Sequence, residues 1–119
     1  MKEEIEIIIR NAEGKVMQNA PEYLSYFHSL KWKSKKFKEK NNQRTLGIIR
    51  GETVILNENF IKDEKIYDVV FHELSHKINN DINGISANPH NDSFFNIYEK
   101  ISGEPQREKY ENGVRRAGI

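Results

Sequence analysis

The chain has 119 residues, the size of one compact domain, with a charged fraction of 31% against a hydrophobic fraction of 36%. It contains no cysteine, which excludes a disulfide framework, a cysteine-based zinc ribbon and thiol catalysis, and fits a reducing compartment. The net charge is +1, and the apolar run at residues 7–9 is too short for a signal peptide or a membrane span. We therefore predict a soluble, cytoplasmic protein, and we expect a monomer.

The first half of the chain predicts helices followed by strands. Apolar residues recur at helical spacing over residues 3–18, and Pro21 marks the break after them. Residues 21–30 favour a second short helix or a turn. Residues 31–38 alternate only partly and predict a strand, whereas residues 45–49 and 53–56 are rich in β-branched side chains and flank a hairpin turn.

The second half predicts two more helices. Asp63 is a candidate N-cap for a helix over residues 64–79, and the Asn-rich residues 79–91 predict a loop. Asn91 or Asp92 can cap a last helix over residues 93–102, which ends at Gly103. This order predicts an α+β fold with N-terminal helices, a small, mostly antiparallel sheet and two C-terminal helices. We expect one domain over residues 1–103 and a polar, flexible tail over residues 104–119.

The charges are unevenly distributed along the chain. Residues 31–50 carry eight basic side chains and one acid, whereas residues 51–106 carry ten acids and four lysines. Such asymmetry favours a polyanionic partner, here DNA bound through residues 31–50. The alternative is a solvated strand whose lysines protect an exposed edge. An aromatic ring within the basic run can stack on unpaired bases, so the candidate nucleic-acid contacts are Lys31, Trp32, Lys33, Lys35, Lys36 and Lys38.

Residues 69–78 read VVFHELSHKI and contain an HExxH motif. On a helix, His72 and His76 leave the same face one turn apart, so two imidazoles can reach one zinc ion. Glu73 points to one side of the pair, where it can act on a metal-bound water. An apolar stripe, which packs against a core, occupies roughly the opposite side of the helix and consists of Ile66, Val70, Leu74 and Ile78. The alternative is that the two histidines are surface side chains without a ligating role.

A catalytic zinc site of this kind needs a third protein ligand. The metzincin spacing is excluded, because it would place Gly at position 79 and His at position 82, where this chain has Asn79 and Ile82. His90, which precedes the last helix, is the favoured candidate. The acidic alternatives are Glu99, which is the best placed of them on a helix, and Asp81, Asp92 and Glu104.

Two stretches of the sequence, TLGIIRGETVILNENFIKDEKIYDVVFHELSHKI and NPHNDSFFNIYEKI, resemble the SprT-like zinc metallopeptidases, which include Spartan and the related WLM proteases. The shared pattern is a Gly-containing strand, a strand ending in Leu56-Asn57, the HExxH helix, and His90 followed by Phe94 or Phe95. The resemblance covers about residues 30–102. Many relatives have Gly where this chain has Asn91, and many carry a cysteine-based zinc ribbon that this chain lacks.

The resemblance implies a zinc-dependent endopeptidase of the zincin type with one Zn²⁺ per chain, bound by His72, His76 and His90. Glu73 would be the general base that takes a proton from the zinc water and passes it to the leaving amine. The substrate would be a protein or peptide, with proteins held on DNA as candidates, and no membrane is implied. An extended substrate would pair with an edge strand formed by Thr53, Val54, Ile55 and Leu56.

Two alternatives stay open at this point. The first is a nucleic-acid-binding module that uses residues 31–40 and has a vestigial or structural metal site. The intact Glu73 favours the enzyme, since a structural zinc site has no use for this carboxylate. The second is a gluzincin with Glu99 as the third ligand. The oxyanion-stabilising group is unassigned; Tyr98 and Arg50 are candidates, with a structural role as the alternative for each.

Overall fold

The computed structural model describes residues 3–38 and 45–108. It confirms the α+β fold class, with helices, then a small sheet, then two helices. The helices are α1 (Glu3–Asn19), α2 (Leu24–His28), α3 (Ile66–Asn83) and α4 (Asp92–Ser102), and 3₁₀ turns occupy Pro21–Tyr23 and Glu58–Phe60. The strands are β1 (Lys31–Lys35), β2 (Gly47–Arg50) and β3 (Thr53–Asn57).

The sheet is mixed and not mostly antiparallel as predicted, and its strand order is β1-β3-β2. β3 pairs with β1 in parallel and with β2 in antiparallel fashion. The prediction that residues 53–56 form an edge strand was therefore wrong, because β3 is the central strand and both of its backbone edges are used. Local sequence patterns predict the hairpin of β2 and β3, because these strands are adjacent in the sequence. They do not reveal the pairing of β3 with β1, which lies further away along the chain.

A single core lies between the helices and one face of the sheet. The apolar stripe of α3 is fully buried as predicted: Ile66 is 1% exposed, and Val70, Leu74 and Ile78 are 0% exposed. The inward-facing side chains of β3 and the apolar face of α4 complete this cluster, which includes Val54, Leu56, Phe94, Phe95, Tyr98 and Ile101. Helix α3 is thus anchored by one side, which leaves its opposite side to carry the polar residues of the motif.

Gly47 allows β2 to lie close to α3. A β-carbon at this position would lie 3.0 Å from Val69 Cγ1 and 3.1 Å from the carbonyl oxygen of Ile55. Real β-carbons rarely come that close to other atoms, so a larger residue would push the strand away from the helix. The glycine therefore sets the distance between the edge of the sheet and the HExxH helix.

Asn57 holds the ends of three segments together. Its side chain is 0% exposed. Its Oδ1 accepts hydrogen bonds from the backbone N–H groups of Phe37 and Asn59, and its Nδ2 donates to the carbonyl of Thr45 at 2.8 Å. This one side chain connects the chain leaving β1, the chain entering β2 and the turn after β3.

The bounds of α3 differ from the prediction at both ends. The helix begins at Ile66, because Asp63 caps a preceding turn, with its Oδ1 accepting from the N–H of Lys65 at 2.9 Å. It ends at Asn83, so the first residues of the predicted 79–91 loop are helical. Their Asn-rich sequence is typical of turns, but tertiary contacts keep this last turn helical.

Both ends of α4 follow the prediction. Asn91 accepts from the N–H of Phe94 at 2.9 Å as the N-cap, and Gly103 ends the helix at φ +72°. After it, Gln106 is 4% exposed and donates from its side chain to Ser102 Oγ. Gln106 and Arg107 therefore pack on α4, whereas residues 109–119 of the expected tail, with Lys40 and Arg44 of the basic run, lie outside the described residues. None of the helices in the described ranges has the length and apolar character that crossing a membrane requires.

Candidate metal centre

Three histidines converge where α3 meets the start of α4. The Nε2 atom of His72 lies 3.0 Å from Nε2 of His76 and 3.4 Å from Nε2 of His90. The ligand atoms of all three lie within 4.8 Å of one another. Nitrogen ligands at 2.0–2.1 Å from a tetrahedral zinc ion are about 3.4 Å apart. The spacing of the three imidazoles therefore fits one metal ion of this kind.

The surroundings keep these imidazoles neutral. Burial, together with the neighbouring histidines, lowers the pKa of His72 to about 4, and burial and His90 lower that of His76 to about 4. Burial also lowers the pKa of His90. A metal ion needs the lone pair of a neutral imidazole, so at neutral pH the fold presents this group in its ligating form.

Phe94 forms the apolar wall behind the three histidines. It is fully buried, and its ring stacks on the ring of His76 at a centroid distance of 4.3 Å. The rings of His72 and His90 each lie 5.0 Å from it in edge-on contact. An apolar shell around a metal site controls solvent access and the local dielectric. This packing is a physical reason for a phenylalanine soon after the third histidine.

Glu73 lies outside the histidine group, in a cleft beside it. The cleft has a volume of about 350 Å³, and its lining includes Glu73, His72, Gly47 and Tyr98. Burial raises the pKa of Glu73 to about 7. A carboxyl group with a pKa near neutrality can both accept and release a proton at physiological pH.

The acidic alternatives for the third ligand do not converge on the histidines. Within the described residues, the group that could hold a metal contains His72, His76 and His90 and none of these acids. Glu99, the gluzincin candidate, accepts from the backbone N–H of Gln106 at 2.8 Å. Asp81 accepts from the hydroxyl of Tyr26, and Asp92 pairs with Arg107. The fourth histidine, His28, lies at the surface and contacts Glu13 at 2.7 Å.

The other predicted residues divide between two regions. Tyr98 lines the cleft, where its hydroxyl donates to the backbone carbonyl of Asp68 at 3.3 Å, and burial raises its pKa. Arg50 is exposed at the end of β2, paired in register with Thr53 on β3. Lys31 pairs with that same Thr53 from the other side. Arg50 therefore lies on the same outer face of the sheet as Lys31, with β3 between them, which does not favour a role in the cleft.

The basic strand presents its cations on one side only. Lys31, Lys33 and Lys35 are exposed at alternate positions of β1, and Lys36 and Lys38 follow them. Trp32 points the other way, and its ring packs on that of Phe27 at a centroid distance of 5.7 Å. The expectation that Trp32 stacks on bases is therefore not supported, because its ring contributes to the margin of the core.

Sequence reasoning missed two asparagines beside the histidines. Asn79 is 1% exposed and donates to Asn91 Oδ1, and Asn83 donates to Asn79 Oδ1. The sequence predicts Asn79 as the last residue of the helix and Asn83 as part of the loop, and it assigns neither of them to the site. The spacing of positions 72, 76, 79 and 83 is that of one helical face, and this signal was present in the sequence.

Comparison with known proteins bears on the whole domain. The sequence profile of the SprT-like family matches residues 8–115. No curated protein and no solved structure matches the chain. The matched segment contains all three strands together with α2, α3 and α4, and it extends beyond the residues 30–102 on which the resemblance rested. The chain therefore belongs to the SprT-like family.

Proposed function

We propose that this protein is a zinc-dependent endopeptidase. The observation that carries the proposal is the convergence of three neutral imidazoles beside a carboxyl group that is not one of the ligating residues. His72, His76 and His90 would hold the ion. When bound, zinc supplies a Lewis acid that polarises a carbonyl and acidifies water. The lack of cysteine supports a reducing compartment such as the cytoplasm.

Glu73 is the proton carrier in this proposal. Its carboxylate accepts a proton from the attacking water and delivers it to the nitrogen of the leaving amine. This carboxyl group lies in the cleft, on the side of α3 that faces the start of β2. Tyr98 lines the same cleft, and its buried hydroxyl fixes the position of α4 by donating to the backbone of α3.

The substrate we propose is an extended polypeptide segment laid along β2. β2 is an edge strand, and the residues at its start line the cleft that contains Glu73. A second depression of about 510 Å³ lies beyond His76, and its lining includes Ile49 and Gly51 from the same strand and hairpin. The edge of β2 therefore passes across the histidine site from one depression to the other. An edge strand in this position can pair with an unfolded peptide by β-addition.

The test is metal content together with peptidase activity in four proteins: wild type, His90→Ala, Glu73→Gln and His28→Ala. His28→Ala is the matched control, because it removes a histidine that lies at the surface. We expect about one zinc per chain in wild type, Glu73→Gln and His28→Ala, and loss of zinc in His90→Ala. Cleavage of an unfolded protein should fall roughly 10²- to 10⁴-fold in Glu73→Gln.

Two results would contradict the proposal. Full zinc content in His90→Ala would remove His90 from the ligand set. Zinc binding without any cleavage by wild type, for folded and unfolded substrates and with or without single-stranded DNA, would favour a structural or vestigial metal site.

A second function, binding of DNA, is favoured by the outer face of the sheet. Lys31 and Arg50 flank Thr53 in one cross-strand row, and Lys33 occupies the next row on the same face. Within the described residues, no ion pair joins these three cations to an acid. A cationic sheet face suits the phosphates of a nucleic acid, which would bring the peptidase to proteins held on DNA.

The test is binding of a fluorescent single-stranded DNA at several salt concentrations. The variant replaces Lys31, Lys33 and Lys35 with Gln, and the control replaces the exposed Lys15, Lys62 and Lys65 in the same way. The slope of log affinity against log salt should become shallower by about 2 in the first variant only. Equal slopes in the two variants would show that the outer face of the sheet is not the DNA site.

A further inference from the structure

One polar stripe of α3 has two parts. His72 and His76 form its first part, and Asn79 and Asn83 continue it toward the C-terminus of the helix at positions i+7 and i+11 from His72. Asn79 is nearly as buried as the apolar stripe on the opposite side, with 1% of its surface exposed. A buried amide must have hydrogen-bond partners, and those partners indicate what this residue does.

The partners of Asn79 connect α3 to the start of α4. Its Nδ2 donates to Asn91 Oδ1 at 3.3 Å, and its Oδ1 accepts from Asn83 Nδ2 at 2.9 Å. Asn83 also donates to Ser93 Oγ at 2.8 Å. Asn91 Oδ1 in turn accepts from the N–H of Phe94 at 2.9 Å, which caps α4. The four side chains therefore form one continuous polar network between the two helices.

His90 lies in a segment that is neither helix nor strand, and its ring contacts Phe94 at the start of α4. It directly precedes Asn91 and follows residues 84–89, which are all exposed and so are not held by packing. His72 and His76, by contrast, are fixed by an 18-residue helix whose apolar side is buried. The third ligand is thus the one whose location is not set by its own secondary structure.

We propose that Asn79 is a positioning residue for the third metal ligand: by binding Asn91, it fixes the chain around His90 at the distance that zinc coordination requires. This inference rests on the proposed function, since it assumes that His90 ligates the metal. Outer contacts of this kind typically change metal affinity by 10- to 100-fold when they are removed.

The test compares Asn79→Ala with Ser75→Ala. Ser75 is also a buried polar residue on α3, but its hydroxyl donates to Phe71 within the helix at 2.6 Å, so its loss leaves the connection to α4 intact. A conservative variant, Asn91→Asp, keeps the oxygen that caps α4 and accepts from Asn79. The measurements are zinc affinity, by competition with a chromophoric chelator, and the visible absorption of bound Co²⁺, whose intensity reports tetrahedral coordination. Both are made well below the melting temperature of each metal-free variant.

We expect Asn79→Ala to bind zinc 10- to 100-fold more weakly and to give a weaker Co²⁺ spectrum. Ser75→Ala and Asn91→Asp should both stay close to wild type. Wild-type affinity in Asn79→Ala, or an equal loss in Ser75→Ala, would overturn the positioning role while leaving the zinc site intact. If His90→Ala binds zinc as tightly as wild type, the proposed ligand set fails, and the positioning role fails with it.

Discussion

Glu73 and His72 are neighbours in the chain, yet the same burial shifts their pKa values in opposite directions. Burial disfavours the charged form of any group, so the pKa of the carboxyl rises to about 7 and that of the imidazole falls to about 4. Both groups are therefore held neutral over much of the range between these values. For the histidine this state favours ligation, and for the glutamate it is the state that can later donate a proton.

A prediction at this scale concerns Glu73→Gln in the metal-free protein. Because the pKa of Glu73 is raised from 4.5 to about 7 on folding, this group stabilises the fold most at low pH, and the contribution is lost as the pH rises through 7. Gln resembles the protonated acid, so the variant should gain stability over wild type as the pH rises from 5 to 8. Because the group is partly exposed, we expect the difference in the free energy of unfolding between the variant and wild type to change by roughly 1 to 2 kcal/mol over this pH range.

Urea unfolding in the presence of a chelator, at several pH values, measures this difference. The histidines titrate alike in both proteins, so their opposite contribution cancels in the comparison. A stability difference that does not vary between pH 5 and pH 8 would show that Glu73 has an ordinary pKa in the folded chain.

At the scale of the helices, replacing either of two glycines by alanine should change the stability of the fold, in one case downward and in the other upward. Gly103 has φ +72°, and a β-carbon there would lie 2.9 Å from Asn19 Nδ2, so Gly103→Ala should destabilise the fold by about 1 to 2 kcal/mol. Gly14 lies within α1 with nothing inside 4 Å of its β-carbon position, so Gly14→Ala should stabilise the fold by about 0.5 to 1 kcal/mol. Thermal unfolding of both variants checks the pair. A loss of stability in Gly14→Ala would mean that α1 packs differently at this point.

The helices could be predicted from the sequence because each one has a local cause. The spacing of Ile66, Val70, Leu74 and Ile78 predicted the buried side of α3, and the Asn91 cap and the Gly103 terminus defined α4. The prediction ends α3 at Asn79, because the Asn-rich residues after it are typical of a loop, although Asn79 and Asn83 continue the helical spacing of the two histidines. They are helical because the network to α4 satisfies their amides, and that network exists only in the folded chain.

The order of the strands depended on tertiary structure too. Residues 53–56 read as a strand, and they form one, but nothing local tells an edge strand from a central one. The parallel pairing with β1 joins segments that are about 20 residues apart, from Lys31↔Thr53 to Lys35↔Asn57. The role predicted for this strand, pairing with a substrate, is proposed instead for β2, which in the described part of the chain pairs on one side only and lies beside the cleft.

At the scale of the whole molecule, the histidine site joins two segments that the chain separates by a loop. A metal ion bound only by the folded state therefore stabilises it, by RT ln(1 + [L]/Kd). With free zinc at 100 times its Kd, we expect about 2.7 kcal/mol, which for a chain of this size raises the melting temperature by roughly 10 °C. His28→Ala should respond like wild type, and His90→Ala should lose most of the response. Calorimetry with and without a chelator measures this rise in melting temperature. A rise in His90→Ala equal to that of wild type would point to zinc bound elsewhere.

The hydrogen bonds of Asn57 determine where residues can be inserted into this domain. Its amide holds Phe37, where the chain leaves β1, and Thr45, where the chain approaches β2, so both ends are fixed whatever number of residues joins them. Doubling the length of such a connection adds only about 0.6 kcal/mol of closure entropy. We therefore expect the chain between Phe37 and Thr45 to accept an inserted epitope or a recognition peptide without displacing the edge of β2, which makes it a natural position for adding new segments to this domain.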